Sequence, residues 1–338
     1  MVDSTSPILI ITGMHRSGTS LTASLLQSAG VDIGSNLMAP SEGNIQGHFE
    51  DLNVVQFHES VLEEHHLSPE GWVTLEQITQ IPETLLPKAK RIISEKRNRS
   101  GITGWKDPRG TLFLDFWQSQ IPEAKFIFLY RAPWEVIDSL YRRGDSIFQE
   151  SPCLALDTWI NYNKAILSFL HRHRKQSLLF NIEEIRKDPK ILAKAFSEHL
   201  SLSIEPQSEI YNPSLFHSEA SESGYPMLIQ QFFPEVIKIY QQLNNSSYSN
   251  HKDNCLVEHN SKRTFNGRLL LKDWLKVRKL DKFQQTLQAW ENDQLKLEQT
   301  LQAWEETQNL VRAMESSKFW KLRQFWFRLK SYLGLPIQ

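Results

Sequence analysis

Residues Ile8–Thr12 (ILIIT) form a short, β-branched apolar run that stops at Gly13, and the stretch GMHRSGTS from Gly13 to Ser20 then leads into helical spacing over Leu21–Ala29. A wholly apolar strand that enters a helix through a glycine turn belongs in a parallel sheet covered on both faces, because crossover helices bury both of its sides. The alternation continues through residue 245. A helical pattern over Leu85–Arg99 precedes a short strand at Ile102–Trp105, and KFIFLY at Lys125–Tyr130 precedes a helix over Trp134–Arg143. Ser177–Asn181 is a further strand, followed by a helix from Pro189 to His199. The expected fold is α/β: a three-layer parallel sheet with a P-loop-type phosphate site. Ligands of such sheets bind beyond the C-terminal strand ends, which directs attention to Gly13–Ser20, Lys106–Arg109 and Arg131–Ser139.

The glycines of GMHRSGTS let the backbone fold so that its N–H groups converge on an anion, and the following helix adds its positive end. Their spacing matches the ATP- and GTP-binding loop G-x-x-x-x-G-K-[ST]. Here, however, Thr19 occupies the lysine position, and the cation, Arg16, stands inside the loop. KFIFLY is followed by Arg131 where a nucleotide triphosphatase has its magnesium-holding Asp, so no metal is expected. Ser139, eight residues after Arg131 and two turns into the helix, is placed to address the same phosphate as Arg131.

With 38 Lys and Arg against 39 Asp and Glu, the chain has no global field for nucleic acid, and any phosphate must be held by local cations. The two cysteines, Cys153 and Cys255, form neither a disulfide framework nor a metal motif. No apolar run approaches the ~20 residues that span a bilayer, and the N-terminal run is too short for a signal peptide. The expected location is cytoplasmic.

Beyond a catalytic domain at 1–245, residues 246–275 read as a linker, because 244–266 is rich in Asn and Ser. Leu280, Phe283, Leu287, Trp290, Leu297, Leu301, Trp304 and Val311 then fall on alternating three- and four-residue steps, with Gln294 and Gln308 filling the seam, and TLQAWE recurs two heptads apart. This is the a/d pattern of a coiled coil over 276–314, implying a homo-oligomer. In the tail, 315–338, Phe319, Leu322, Trp326, Leu329 and Leu333 share one helical face among Lys318, Lys321, Arg323, Arg328 and Lys330. Such a helix suits peripheral contact with an anionic membrane surface, or a docking groove on a protein.

GMHRSGTS followed by FLYRAPWEVIDSLYRRG resembles the sulfotransferase superfamily, particularly its bacterial and carbohydrate-type branches, and LLFNIEEIRKDPKILAKAFSEHLSL is similar to its late strand–helix segment. The resemblance covers about residues 7–200. It implies a sulfuryl donor, PAPS (3′-phosphoadenosine-5′-phosphosulfate), leaving as PAP. Carried over, Gly13, His15, Arg16, Ser17, Gly18, Thr19 and Ser20 would hold the 5′-phosphosulfate, and Arg131 and Ser139 the 3′-phosphate. Arg16 departs from the lysine of the small-molecule branch, and that branch's C-terminal RKG segment has no counterpart. Lys106 and Arg109, in GWKDPRG, would place positive charge at the sulfuryl group. For the base, APSEGNIQGHFED offers Glu42, His48, Glu50 and Asp51, with Glu50 preferred because it lies where the loop returns to the core. The acceptor implied is a hydroxyl or amine of a carbohydrate or glycolipid. The competing readings are a P-loop kinase or NTPase, and a non-catalytic binding module on the same fold.

Overall fold

The computed structural model describes residues 7–39, 47–75, 77–205, 219–249 and 267–333. Four strands, β1 (Ile8–Thr12), β2 (Thr103–Lys106), β3 (Lys125–Tyr130) and β4 (Ser177–Asn181), form one all-parallel sheet in the order β2-β1-β3-β4. In register, Ile10 lies beside Trp105 on one side and Phe126 on the other, and Phe128 pairs with Leu179. β1, β3 and β4 have the bounds read from the sequence; β2 is shifted by one residue and ends at Lys106.

Side chains alternate along each strand, and both faces are apolar. Ile8, Ile10, Trp105, Phe126, Phe128 and Leu179 point into one core, while Leu9, Ile11, Ile127, Leu129, Leu178 and Phe180 point into the other. The helices, in chain order, begin with α1 (Thr19–Ser28), α2 (Leu52–Glu64), α3 (Leu86–Arg97), α4 (Leu114–Gln120), α5 (Pro133–Arg143), α6 (Ser146–Glu150) and α7 (Cys153–Arg172). They continue with α8 (Ile182–Lys187), α9 (Lys190–Ala195), α10 (Glu219–Glu222), α11 (Tyr225–Phe232), α12 (Pro234–Ser246), α13 (Gly267–Ser316) and α14 (Lys318–Tyr332). α1, α8 and α9 cover the second face; α2, α3, α5, α7 and α12 cover the first, with fully buried Trp117, Trp159 and Phe169. Each such large side chain removed from water contributes roughly 1.5–3 kcal/mol. The helix expected over Pro189–His199 is divided: α9 stops at Ala195, and Phe196–Leu200 continue as a wider π-helical turn.

The chain divides into two compact units at Lys276. Residues 267–275, placed in a linker by the sequence, form the first turns of α13 within the first unit; residues 250–266 lie outside the described residues. Leu271, Trp274 and Leu275 are buried there. Trp274 Nε1 donates to Asp138 Oδ1 at 3.0 Å, and its ring stacks on Tyr225 at 3.7 Å. In the second unit α13 continues to Ser316, with Leu280, Phe283, Leu287, Trp290, Leu297, Leu301, Trp304 and Val311 all exposed. α14 begins afresh where the Ser317 hydroxyl accepts from Trp320 N. Among the described residues no helix is long and apolar enough to cross a membrane.

Candidate active site

The site is built at the C-terminal end of β1, where the chain leaves the sheet through the glycine loop. A side chain at Gly13 would meet the carbonyl of Leu129 at 2.1 Å, so only glycine lets the loop pass over β3. Gly18 has φ 86°, and a Cβ there would lie 2.2 Å from Ile182. Between them Arg16 adopts a left-handed φ of 67°, uncommon for a side chain of its size and a conformation held by its surroundings. Ser17 Oγ and His15 Nε2 are buried and have no hydrogen-bond partner among the described residues. Unsatisfied groups of this kind are the ones a ligand is expected to complete.

The structure brings the two arginine motifs together. Arg16 Nε donates to Ser139 Oγ at 2.8 Å, joining the loop after β1 to α5, the helix after β3. Burial lowers the Arg16 guanidinium to about 10, and the neighbouring charges of Arg143, Arg131 and Arg142 add to the effect. Arg131, Arg142 and Arg143 are each paired with a carboxylate, Glu135, Asp138 and Asp145 respectively, so their charges are partly balanced within the protein. Arg131 is braced from behind: its Nε donates to Glu135 Oε2 at 2.7 Å, and Glu135 also accepts from Ser221 Oγ at 2.5 Å. The indole of Trp159 donates to the Arg131 carbonyl at 3.2 Å.

Lys106, at the end of β2, reaches the same loop. Its Nζ donates to Ser20 Oγ (3.1 Å), to the His48 carbonyl (3.0 Å) and to Glu50 Oε1 (2.6 Å). The other Glu50 oxygen accepts from Arg109 at 3.0 Å. Glu50 is 5% exposed and lies between two cations, an arrangement that its sequence position did not suggest. The His48 imidazole is half-buried beside it. Burial lowers its pKa below the ordinary 6.5; Glu50 opposes this, while Lys106, Arg16 and Arg143 reinforce it. Asp51 accepts from Asn53 N as the cap of α2 and pairs with Lys96 at 2.8 Å, so it faces away from the loop. Glu42 lies outside the described residues. Thr19 is buried as the first residue of α1.

Behind Lys106 and Arg109 runs a buried chain that sequence reading missed. Trp117 Nε1, which can only donate, gives a 2.9 Å hydrogen bond to His58 Nε2, so the proton of the neutral ring is on Nδ1 and is donated to Asp107 Oδ2 at 2.8 Å. Asp107 in turn holds Arg109 through Nε at 2.9 Å. Burial would raise the Asp107 carboxyl, but Arg109 beside it and the His58 hydrogen bond hold it well below the carboxylate range. His15 packs against Trp72 with ring centroids 4.4 Å apart, and its pKa falls well below 6.5 through burial and then the charges of Arg109 and Arg143. Arg142 and Arg143 were legible as a signal: in IDSLYRRG they follow Ser139 at i+3 and i+4, one helical face.

The site is thus a parallel α/β sheet whose inner strand β1 opens into a glycine loop, with cations from the ends of β2 and β3 and from α5 around it. The sequence profile of the sulfotransferase family matches residues 7–206, and the chain belongs to that family. Among solved structures it is similar to the sulfotransferase domain of the Synechococcus PCC 7002 olefin synthase, at 19% identity over 73% of this chain and 97% of that one, with a TM-score of 0.38. It is also similar to a sulfotransferase from Alicyclobacillus acidocaldarius (14% identity, 69% of this chain and 99% of that one, TM-score 0.39). Sulfotransferase STF1 from Mycobacterium tuberculosis H37Rv is similar at 14% identity over 71% of this chain and 77% of that one, with a TM-score of 0.35. Comparison with curated protein sequences gave no match.

Proposed function

We propose that this sulfotransferase takes its sulfuryl group from PAPS and delivers it to a hydroxyl or amine of a glycan or glycolipid acceptor. The observation that carries the donor assignment is the 2.8 Å contact between Arg16 and Ser139. It supports reading the glycine loop as the 5′-phosphosulfate site and α5 as the 3′-phosphate site of one nucleotide. The unpartnered Ser17 hydroxyl and the buried Arg16 guanidinium fit the same polyanion. The acceptor class is supported by the exposed aromatic and basic α14, which suits substrates presented at a lipid surface.

In this reading the acceptor oxygen or nitrogen attacks sulfur as the bond from sulfur to the 5′-phosphate oxygen breaks, and PAP leaves with that electron pair. Lys106 and Arg16 meet the negative charge that grows on the leaving group. His48 takes the acceptor proton. It is favoured over Glu50, which would have to give up its pairing with Lys106 and Arg109 to bind one. Glu50 instead positions both cations, and the Trp117–His58–Asp107 chain holds Arg109 behind them.

Calorimetric titration with PAP, AMP and ATP, without metal, tests the donor. PAP should bind far more tightly than AMP. Tight ATP binding with magnesium-dependent hydrolysis would overturn the assignment in favour of a kinase or NTPase.

A further inference from the structure

We propose that α14 lies in the plane of an anionic lipid bilayer, with its apolar stripe in the acyl boundary and its cations at the headgroups. The 15 residues of α14 extend about 22 Å at ~1.5 Å per residue. That is too short to span a membrane, but long enough to lie along one.

The distribution of residues carries the argument. Phe319, Leu322, Trp326, Leu329 and Leu333 follow one another at steps of three and four, with Phe325 beside them, and form one continuous stripe. All are exposed, Phe319 at 78% and Leu322 at 70%. At 100° per residue, Arg323 and Lys330 border this stripe on one side and Lys321 and Arg328 on the other. Long cationic side chains in these positions extend their stems over apolar surface and keep their charges at the headgroup level. The rear of the helix is treated differently. The Arg323 guanidinium lies over the rings of Trp320 (5.3 Å) and Phe327 (5.2 Å), both half-buried, so those aromatics are already covered.

The charge selects the occupant. α14 carries five cations, Lys318, Lys321, Arg323, Arg328 and Lys330, and no acidic residue. Pairing with α14 of a second copy would bring like charges together along both borders of the stripe. An anionic lipid surface complements both at once, each Lys or Arg near the surface adding roughly a fivefold gain in partition.

The test is co-sedimentation of the purified full-length chain with vesicles of phosphatidylcholine alone, or with added phosphatidylglycerol. Binding should be strong only to the anionic vesicles, and should fall as salt shortens the ~10 Å screening length at 0.1 M. Exchanging Lys321, Arg323, Arg328 and Lys330 for Gln preserves helix propensity and should lower partition by several hundredfold. The double variant Phe325→Asp, Trp326→Asp should abolish it. PAP affinity measured alongside should be unchanged in both, showing that the catalytic unit is intact. Equal binding to neutral and anionic vesicles would overturn the proposal, as would binding that survives either variant. A parent chain that does not bind anionic vesicles would also overturn the proposal, and loss of oligomeric mass in its Phe325→Asp, Trp326→Asp variant would assign the stripe to self-association instead.

Discussion

Arg16 and Ser139, 123 residues apart in the chain, meet at 2.8 Å through the guanidinium Nε and the hydroxyl oxygen. A loop and a helix that leave the adjacent strands β1 and β3 are thereby joined side chain to side chain. If the site reads a 3′-phosphate, Arg131→Ala should remove most of the preference for PAP over AMP. Charged hydrogen bonds contribute ~1.5–3 kcal/mol, roughly 10- to 150-fold in affinity. Ser139→Ala should cost about 0.5–1.5 kcal/mol, the share of a neutral hydroxyl. Calorimetry with both nucleotides measures the two effects.

The division of labour between His48 and Glu50 is separable by pH. A base must be neutral to accept a proton, and the His48 pKa is displaced below 6.5. Activity should therefore be flat above about that value and fall on the acid side. His48→Gln should lower kcat at least 100-fold and remove the acid limb. Glu50→Gln should lower activity while leaving that limb in place.

Glu50→Gln should also weaken the fold. It removes the buried carboxylate that Lys106 and Arg109 share, and breaking one partner of such a network typically costs about 3–5 kcal/mol. Thermal unfolding of the variant should show a midpoint lower by several degrees. An unchanged midpoint would mean that the two ion pairs contribute nothing to stability.

Stability should fall as the solution is acidified below about pH 6.5. His58 and His15 have pKa values lowered by burial, so in the unfolded chain they bind protons that the folded protein refuses. More protons bound in the unfolded state means that stability rises with pH, by up to about 1.4 kcal/mol per pH unit for each such histidine. Asp107, held low mainly by Arg109, adds a loss in the same direction below its ordinary value of 3.8. Denaturant titrations from pH 7.5 to 4 should show the slope, and His58→Gln should flatten its upper part.

The two ends of α13 should respond differently to truncation. Ending the chain after Lys276 keeps Trp274 on Asp138 and Tyr225, so stability and PAP binding should both survive. Ending it before Gly267 removes the Trp274 side chain from beneath α5, the helix that bears Ser139. Loss of a buried tryptophan costs about 3–5 kcal/mol, and both stability and PAP affinity should drop.

The strands were legible because their signal is local. KFIFLY is apolar at every second position on both faces, so its burial follows from neighbours one and two residues away, and β3 forms over Lys125–Tyr130 as read. The glycine loop was legible for the same reason. The first turns of α13 were not: Leu271, Trp274 and Leu275 follow an Asn- and Ser-rich stretch, and only their packing against α5 and α11 makes them part of the domain. The Trp117–His58–Asp107 chain was invisible too, because its members are 59 and 49 residues apart and each alone is an ordinary core or turn residue.

By itself the amino-acid sequence determined the parallel α/β architecture and the glycine loop that leaves β1, since periodicity, glycine placement and local charge act over a turn or a strand. The tertiary structure alone decided which charged groups meet. Glu50 became a bridge between Lys106 and Arg109, while Arg16 was pressed among Arg131, Arg142 and Arg143. Coulomb interactions of that kind depend on distances across the sheet edge and on the water excluded there, and neither is written in the spacing of residues along the chain.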